Sequence, residues 1–173
     1  MDSPDLLLID DRLAGDLSTP VGSEWRLFTD RVMGGVSTGR LAPDHHLGRS
    51  CLHLQGQVSL DNNGGFVQAS LELPPRIAAA ATDYRGVQLD ICGDGNTYNL
   101  HLRSVDCRRP WQSYRASFQA GSEWQTLRLP FGDFRAYRID TPLRPDRLRR
   151  LGVVAIGREF APDLWLGPLA LYR

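Results

Sequence analysis

The sequence predicts an all-β fold, a single-domain antiparallel β-sandwich or jelly roll. Three observations carry the all-β reading. From about residue 50 onward apolar residues recur with a period of two. Glycine, proline and small polar residues break that pattern into roughly nine short runs, spaced about 8 to 15 residues apart. Almost no stretch shows a helical period. With 173 residues and 42% hydrophobic content, the chain is long enough for a sizeable core, and no linker composition divides it. One domain over residues 1–173 is therefore expected.

The first strand-like run, residues 36–41, follows the sequence W-R-L-F-T-D-R-V-M-G-G-V-S-T-G at 25–39. Core packing alone does not explain that composition. Paired glycines permit backbone angles closed to other residues and let another segment approach closely. Short polar side chains such as Asp30 and Ser37 bond neighbouring loop backbone. Leu52, Leu54, Val58 and Leu60 alternate with polar residues and give one strand or a bent pair. A second polar turn, D-N-N-G-G-F at 61–66, leads into Val67, Ala69, Leu71 and Leu73. That strand stops at Pro74-Pro75, because proline cannot donate to a ladder. The alanine-rich residues 77–82 predict a short helical turn. Val87, Leu89 and Ile91, then Tyr98, Leu100 and Leu102, make two further strands, and the G-D-G-N between them reads as a hairpin connection. Tyr114, Ala116 and Phe118 alternate next, followed by strands near 124–129, 151–156 and 164–171.

The outward positions Gln68, Ser70, Glu72, Gln88, Asp90, Asn99, His101, Arg103, Arg115, Ser117 and Gln119 would share one polar sheet face if their strands are neighbours. Trp25 and Trp124 lie beside strand runs and are expected in the core. Trp111, among Arg108, Arg109, Pro110 and Gln112, is the expected exposed anchor.

Four motifs carry a family resemblance: W-x-x-F-T-D-x-V-M-G-G-V-S-x-G from Trp25, D-N-N-G-G-F, G-D-G-N-x-Y from Gly93, and L-P-F-x-x-F from Leu129. In that order they resemble the complex I intermediate-associated protein family, most strongly over 25–134. The resemblance implies a jelly-roll sandwich similar to galactose-binding and carbohydrate-binding modules. It also implies a non-catalytic, chaperone-like assembly factor that binds partly built NADH:ubiquinone oxidoreductase. The family-motif positions carried over are Trp25, Asp30, Met33, Gly34, Gly35, Ser37, Asn63, Gly64, Gly65 and Phe66. The expected partner-binding face is Asn99, His101, Arg103, Trp111 and Arg115. A carbohydrate-binding module on the same fold is the alternative.

Other chemistries find little support. Twenty basic and twenty acidic residues balance, and every basic one is arginine, so net charge gives no hold on nucleic acid or an anionic membrane. The most basic run, residues 144–150, reads as a solvated turn or protein contact. Cys51, Cys92 and Cys107 are odd in number and far apart, which suggests free thiols rather than a disulfide framework or zinc site. Cys51 with His53, and His45-His46 in a polar loop, lack a second ligand pair. G-D-G-N lacks the later glutamate of a calcium loop. Neither glycine-rich nucleotide motif occurs. An acid–base pair of His101 and Asp90 can be drawn across the supposed hairpin, but no nucleophile motif accompanies it. The expectation is no enzyme, no metal, no cofactor and no small-molecule ligand. Residues 1–11 lack the features of a signal or transit peptide, and no apolar stretch reaches membrane-spanning length. A bacterial cytoplasmic protein, at most peripherally associated with membrane, is expected.

Overall fold

The computed structural model describes residues 5–173, so the first four residues of the N-terminal stretch read above lie outside it. Twelve strands form two antiparallel six-stranded sheets. In chain order they are β1 (Leu6–Asp10), β2 (Arg26–Thr29), β3 (Thr38–His46), β4 (Arg49–Gln57), β5 (Phe66–Glu72), β6 (Gly86–Cys92), β7 (Thr97–Ser104), β8 (Ser113–Gln119), β9 (Gln125–Pro130), β10 (Arg135–Tyr137), β11 (Leu148–Ile156) and β12 (Asp163–Tyr172). One helix, α1 (Pro75–Ala81), stands where the alanine-rich turn is expected, with proline at its first position, where the missing N–H costs nothing.

The first sheet runs β3-β4-β12-β6-β9, and the second runs β10-β8-β7-β11-β5-β2. One edge of β12 is shared: β4 pairs with its first half and β1 with its second, while β6 runs along the other edge. The break in β12 register falls between Leu166 and Leu169, where Gly167 and Pro168 interrupt the ladder.

The period of two sorts side chains between a shared interior and two outer faces. Leu52, Leu54, Val87, Leu89, Ile91, Leu164 and Leu166 of the first sheet meet Val67, Ala69, Leu71, Leu100, Leu102, Val153 and Ala155 of the second in one hydrophobic cluster. Fully burying each leucine, valine or isoleucine there is worth about 1.5–3 kcal/mol.

Several expectations need correction. Residues 93–96 do not close a hairpin; they carry the chain from β6 in the first sheet to β7 in the second. Gly93 and Gly95 donate their N–H groups to Gly121 and Ala120, so the turn packs on that segment rather than folding back. Gln88 and Asp90 therefore lie on the first sheet, away from the outer face of β7. His45 and His46 are not in a loop: β3 continues through Pro43, which an edge strand accommodates. Trp124 is half-buried on the outer side, donating its Nε1–H to the His46 carbonyl at 2.9 Å, whereas Trp25 is fully buried as expected.

Candidate functional site

The two Gly-Gly turns of the sequence are tied together by a single carboxylate. Asp30 opens a short 3-10 turn after β2 and is fully buried. It accepts hydrogen bonds from the Ser37 hydroxyl, from the Ser37 N–H at 2.9 Å, from the Gly65 N–H at 2.6 Å and from the Phe66 N–H at 3.2 Å. Burial raises its pKa, but these donors outweigh that and hold it below the usual carboxylate value. Ser37 in turn accepts from the Ser59 N–H at 2.9 Å. Both paired glycines have a reason here. A Cβ at Gly35 would collide with the Asp30 carboxyl, and one at Gly64 would sit 2.5 Å from Asp30 Oδ2. Gly34 and Gly65 take positive φ values of 87° and 139°, and Asn63 occupies the left-handed region at 58°, which asparagine tolerates.

Trp25 closes a second buried knot, donating its indole N–H to Asp10 at 2.8 Å. Asp10 also bonds Arg12 Nε at 2.6 Å, and the rest of that guanidinium is held by the Asp16 and Ser18 carbonyls. Sequence reading missed this pair; a D-x-R triplet next to an apolar run is its only local signal. Outside the Asp30 knot, Val32 and Met33 are 71% and 63% exposed, with Val36 and Leu60 also exposed.

The structure brings the residues of the expected partner face together in part. Asn99, His101 and Arg103 of β7 and Arg115 and Ser117 of β8 share the outer face of the second sheet with Arg150 of β11, Gln68 and Glu72 of β5, and Arg135 and Tyr137 of β10. His101 is cross-strand to Arg115, which is cross-strand to Arg135. His101 is not the solvated side chain the sequence suggests. It is only 9% exposed and its Nε2 makes no hydrogen bond, while burial, and secondarily the Arg115 charge, pushes its pKa down to about 3. With Asp90 on the other sheet, no acid–base pair forms.

Arg115 bonds Ser113 Oγ through Nε at 2.9 Å and stacks on the Tyr137 ring at 3.7 Å, which leaves its two terminal nitrogens without hydrogen bonds. Arg103 is occupied otherwise. It bonds the Pro110 carbonyl at 2.8 Å and the Cys107 carbonyl at 3.1 Å, and so shapes the loop that presents Trp111, 52% exposed. Beside Arg115 lies an open cleft of about 470 Å³ lined by Asn99, Ser117, Asp133, Arg135 and Tyr137. Arg135 and Tyr137 were missed from sequence, although the R-A-Y-R run after L-P-F-x-x-F has the alternation of a short strand.

The motif loops and the Trp111 loop do not form one surface. The Asp30 knot sits where β5 begins and Trp111 near where β8 begins, so they are at opposite ends of the second sheet. Seven-residue strands put about 20 Å between them.

The first sheet's outer face is chemically closed. Trp165 lies between His46 and His53, with ring centroids 3.7 and 4.5 Å away. His53 is bonded to Asp163, and Asp44 accepts the Trp165 indole N–H at 3.2 Å. Arg49 pairs with Asp90 at 3.0 Å over the Trp124 ring. Cys51 is buried beneath, its thiol bonded to the Asp44 carbonyl and its pKa pushed up by burial to about 11. Among the described residues no group of three or more His, Cys, Asp or Glu side chains is placed to hold a metal ion. None of the described helices is long and apolar enough to cross a membrane.

Among solved structures, the family 11 carbohydrate-binding module of a cellulosomal cellulase from Clostridium thermocellum matches with a TM-score of 0.75 and 14% identity, covering 99% of this chain and 96% of its own. The module from the same organism in complex with a β-1,3-1,4-mixed-linked tetrasaccharide matches at 0.74 and 14%, covering 99% and 97%. A family 30 module of another C. thermocellum cellulosomal cellulase matches at 0.57 and 15%, covering 79% and 90%. At these identities the likeness establishes the fold, a jelly-roll β-sandwich. A search of curated proteins finds none that matches. The sequence profile of complex I intermediate-associated protein 30 (CIA30) matches residues 16–165, an interval that takes in the Asp30 knot, all four motifs and the outer face of the second sheet, and the chain belongs to that family.

Proposed function

We propose that this protein is a non-catalytic assembly factor that binds incompletely built complex I, and that it does so through the outer face of the second sheet. The observation that carries the binding face is a pair of cross-strand arginines with unused donors: Arg115, held over the Tyr137 ring with its terminal nitrogens unbonded, and Arg135, which makes no hydrogen bond or ion pair among the described residues. Arginine donors held in place and left open on one face are suited to a partner that completes them. Family membership supports a complex I intermediate as that partner. Asn99, His101 and Arg115 contribute the polar centre, and Arg103 holds the loop that presents Trp111 as an aromatic anchor at the rim, arginine and tryptophan being the residue types that most often dominate interfaces. The action is recognition: the protein covers an exposed surface of an intermediate and leaves when the next subunit replaces it, as a chaperone does. We place it in a bacterial cytoplasm, meeting the membrane only through its partner.

Affinity capture from gently solubilised source membranes, read by mass spectrometry, tests this reading. Complex I subunits should be enriched over an untagged control and lost when Arg103, Arg115 and Trp111 are changed together to alanine in a protein that still folds. Capture unchanged by the triple variant would remove this face from consideration. Capture of glycan-bearing material without complex I subunits would favour the carbohydrate-binding alternative that the fold allows.

A further inference from the structure

We infer that the cleft beside Arg115 and Arg135, lined by β7, β8, β10 and the segment before β10, is a carboxylate-binding subsite, and that the partner segment it receives is acidic, presenting an aspartate or glutamate side chain to Arg115 and Arg135. The inference rests on the protein-binding reading above and gives the partner surface its chemistry.

Charge is the first argument. Although the chain as a whole is neutral, the outer face of the second sheet gathers Arg26, Arg103, Arg115, Arg135 and Arg150 against Glu72 and Asp133. Of these arginines, Arg150 is paired with Glu72 at 2.8 Å and Arg103 is bonded to loop carbonyls, so neither is free to receive a ligand's charge. Arg115 and Arg135 are. They are cross-strand neighbours, and Arg135 makes no hydrogen bond or ion pair among the described residues.

Geometry is the second. The Tyr137 ring and the bond to Ser113 fix Arg115, so a carboxylate meets a guanidinium already oriented and loses less entropy on binding. Its two terminal nitrogens are the donors a carboxylate engages in parallel. Around them Asn99 and Ser117, also in the lining, add polar atoms that no side chain among the described residues uses. A carboxylate needs this many donors because its two oxygens accept about four hydrogen bonds. Asp133, also in the lining, sets a limit: its charge opposes a ligand that carries several carboxylates close together and favours one spaced along an extended segment.

The same contacts speak against a neutral sugar. Pyranose rings bind by lying flat on an open aromatic face. The one aromatic ring in the cleft, Tyr137, is covered by Arg115 at 3.7 Å and approached by Arg138 at 5.2 Å. A protein segment with an acidic side chain fits the donors without needing that ring.

The test is a titration of the isotope-labelled protein, followed by amide chemical shifts, with three probes: hexaglutamate, hexaglutamine and a glucuronic acid oligosaccharide. Hexaglutamate should move the resonances of Asn99, Arg115, Ser117, Arg135 and Tyr137, more weakly as salt is raised, and hexaglutamine should not. Arg135→Gln, a change at an exposed side chain that bonds nothing, should weaken hexaglutamate by about tenfold or more, and Arg115→Gln likewise. Equal shifts with hexaglutamine, shifts confined to the 144–150 run, or shifts from the glucuronic acid oligosaccharide alone would each overturn the proposal. Its failure and that of the complex I reading are distinguishable. If the Arg115→Gln/Arg135→Gln double variant still captures complex I subunits while hexaglutamate leaves the cleft untouched, the subsite falls and the assembly reading stands. If hexaglutamate binds the cleft and no complex I subunit is captured, the subsite stands and the assembly reading falls.

Discussion

The Asp30 knot and the outer face of the second sheet are both built from polar side chains on short stretches of chain, yet they use those side chains in opposite ways. In the knot each carboxylate oxygen accepts a donor from the loops it joins, and the two glycines that could have been any small residue are needed because Asp30 fills the space a Cβ would take. On the sheet face, His101 Nε2 and the Arg115 terminal nitrogens are left without partners. A region whose hydrogen bonds close on themselves stabilises the fold; one that leaves bonds open stores them for another molecule. The contrast predicts that substitutions will separate cleanly, with stability lost from the knot and binding lost from the face.

The largest effect is expected at Asp30. Asp30→Ala removes the acceptor of the Ser37 hydroxyl and three backbone N–H groups, and should destabilise the protein by about 4 kcal/mol, measured by chemical denaturation. Asp30→Asn, which keeps one acceptor oxygen, should lose roughly half as much. Equal losses would mean that the shape Asn preserves contributes nothing without the charge and the second acceptor, whereas no loss in Asp30→Asn would mean that shape, not charge and acceptors, holds the loops.

Next come the glycines. Gly35→Ala and Gly64→Ala place a methyl against the Asp30 carboxyl and should each cost about 2 kcal/mol or more through overpacking. At Gly34 nothing lies within 4 Å of the added carbon, and the cost is only that of a positive φ, about 1 kcal/mol. Melting curves of the three variants order them, and a Gly34 loss as large as that at Gly35 would break the explanation by close approach.

This difference also marks how far sequence carries. The knot was legible because its chemistry is local and compositional: paired glycines, Asp30 and Ser37 within ten residues each announce a shaped turn. What sequence could not supply was the bond from Asp30 to Gly65 and Phe66, 35 and 36 positions away, which makes the two turns one structure. Most strands from β3 onward were legible from their period, and so was the side of each that faces out; the short β1 and β2 were not. Which sheet a strand joins was not, since period two is blind to the partner. For that reason the period alone puts Asp90 opposite His101 and reads the G-D-G-N turn as a hairpin, whereas the turn crosses between sheets. His101 itself read as solvated because exposure depends on what its neighbours cover, and Gly152, Arg115 and the strands bearing them are distant in sequence. The short β10, which supplies half of the cleft, has too few residues for its alternation to stand out.

Acid should distinguish the two regions as well. Asp30 has a lowered folded pKa, so its contribution is present above the ordinary carboxylate value of 3.8 and is lost only as the pH falls through the lower folded value. His101 behaves otherwise. Its pKa falls from 6.5 in the unfolded chain to about 3 in the folded one, so below pH 6.5 the unfolded chain takes up a proton that the native protein refuses. Stability should therefore decline as the pH drops from 6.5 toward 3, by on the order of 1 kcal/mol per pH unit, and His101→Gln should flatten that decline. A decline unchanged in His101→Gln would show that the imidazole is protonated in the folded protein.

The smallest expected effect on stability, and the sharpest on the comparison, is at Trp111. Its ring is half exposed at the tip of a loop that Arg103 holds from below, so Trp111→Ala should change the unfolding free energy by no more than about 0.5 kcal/mol. Arg103→Ala should cost more, about 1 kcal/mol, because two loop carbonyls lose their donor. Partner capture should respond in the reverse proportion to stability. Trp111→Ala removes the proposed anchor outright, whereas Arg103→Ala acts through the loop it positions and leaves the indole in place. If capture followed the stability of the variants instead, falling more for Arg103 than for Trp111, the arginine would be the contact and the tryptophan a bystander, and the division between a self-satisfied frame and an open face would have to be redrawn through this loop.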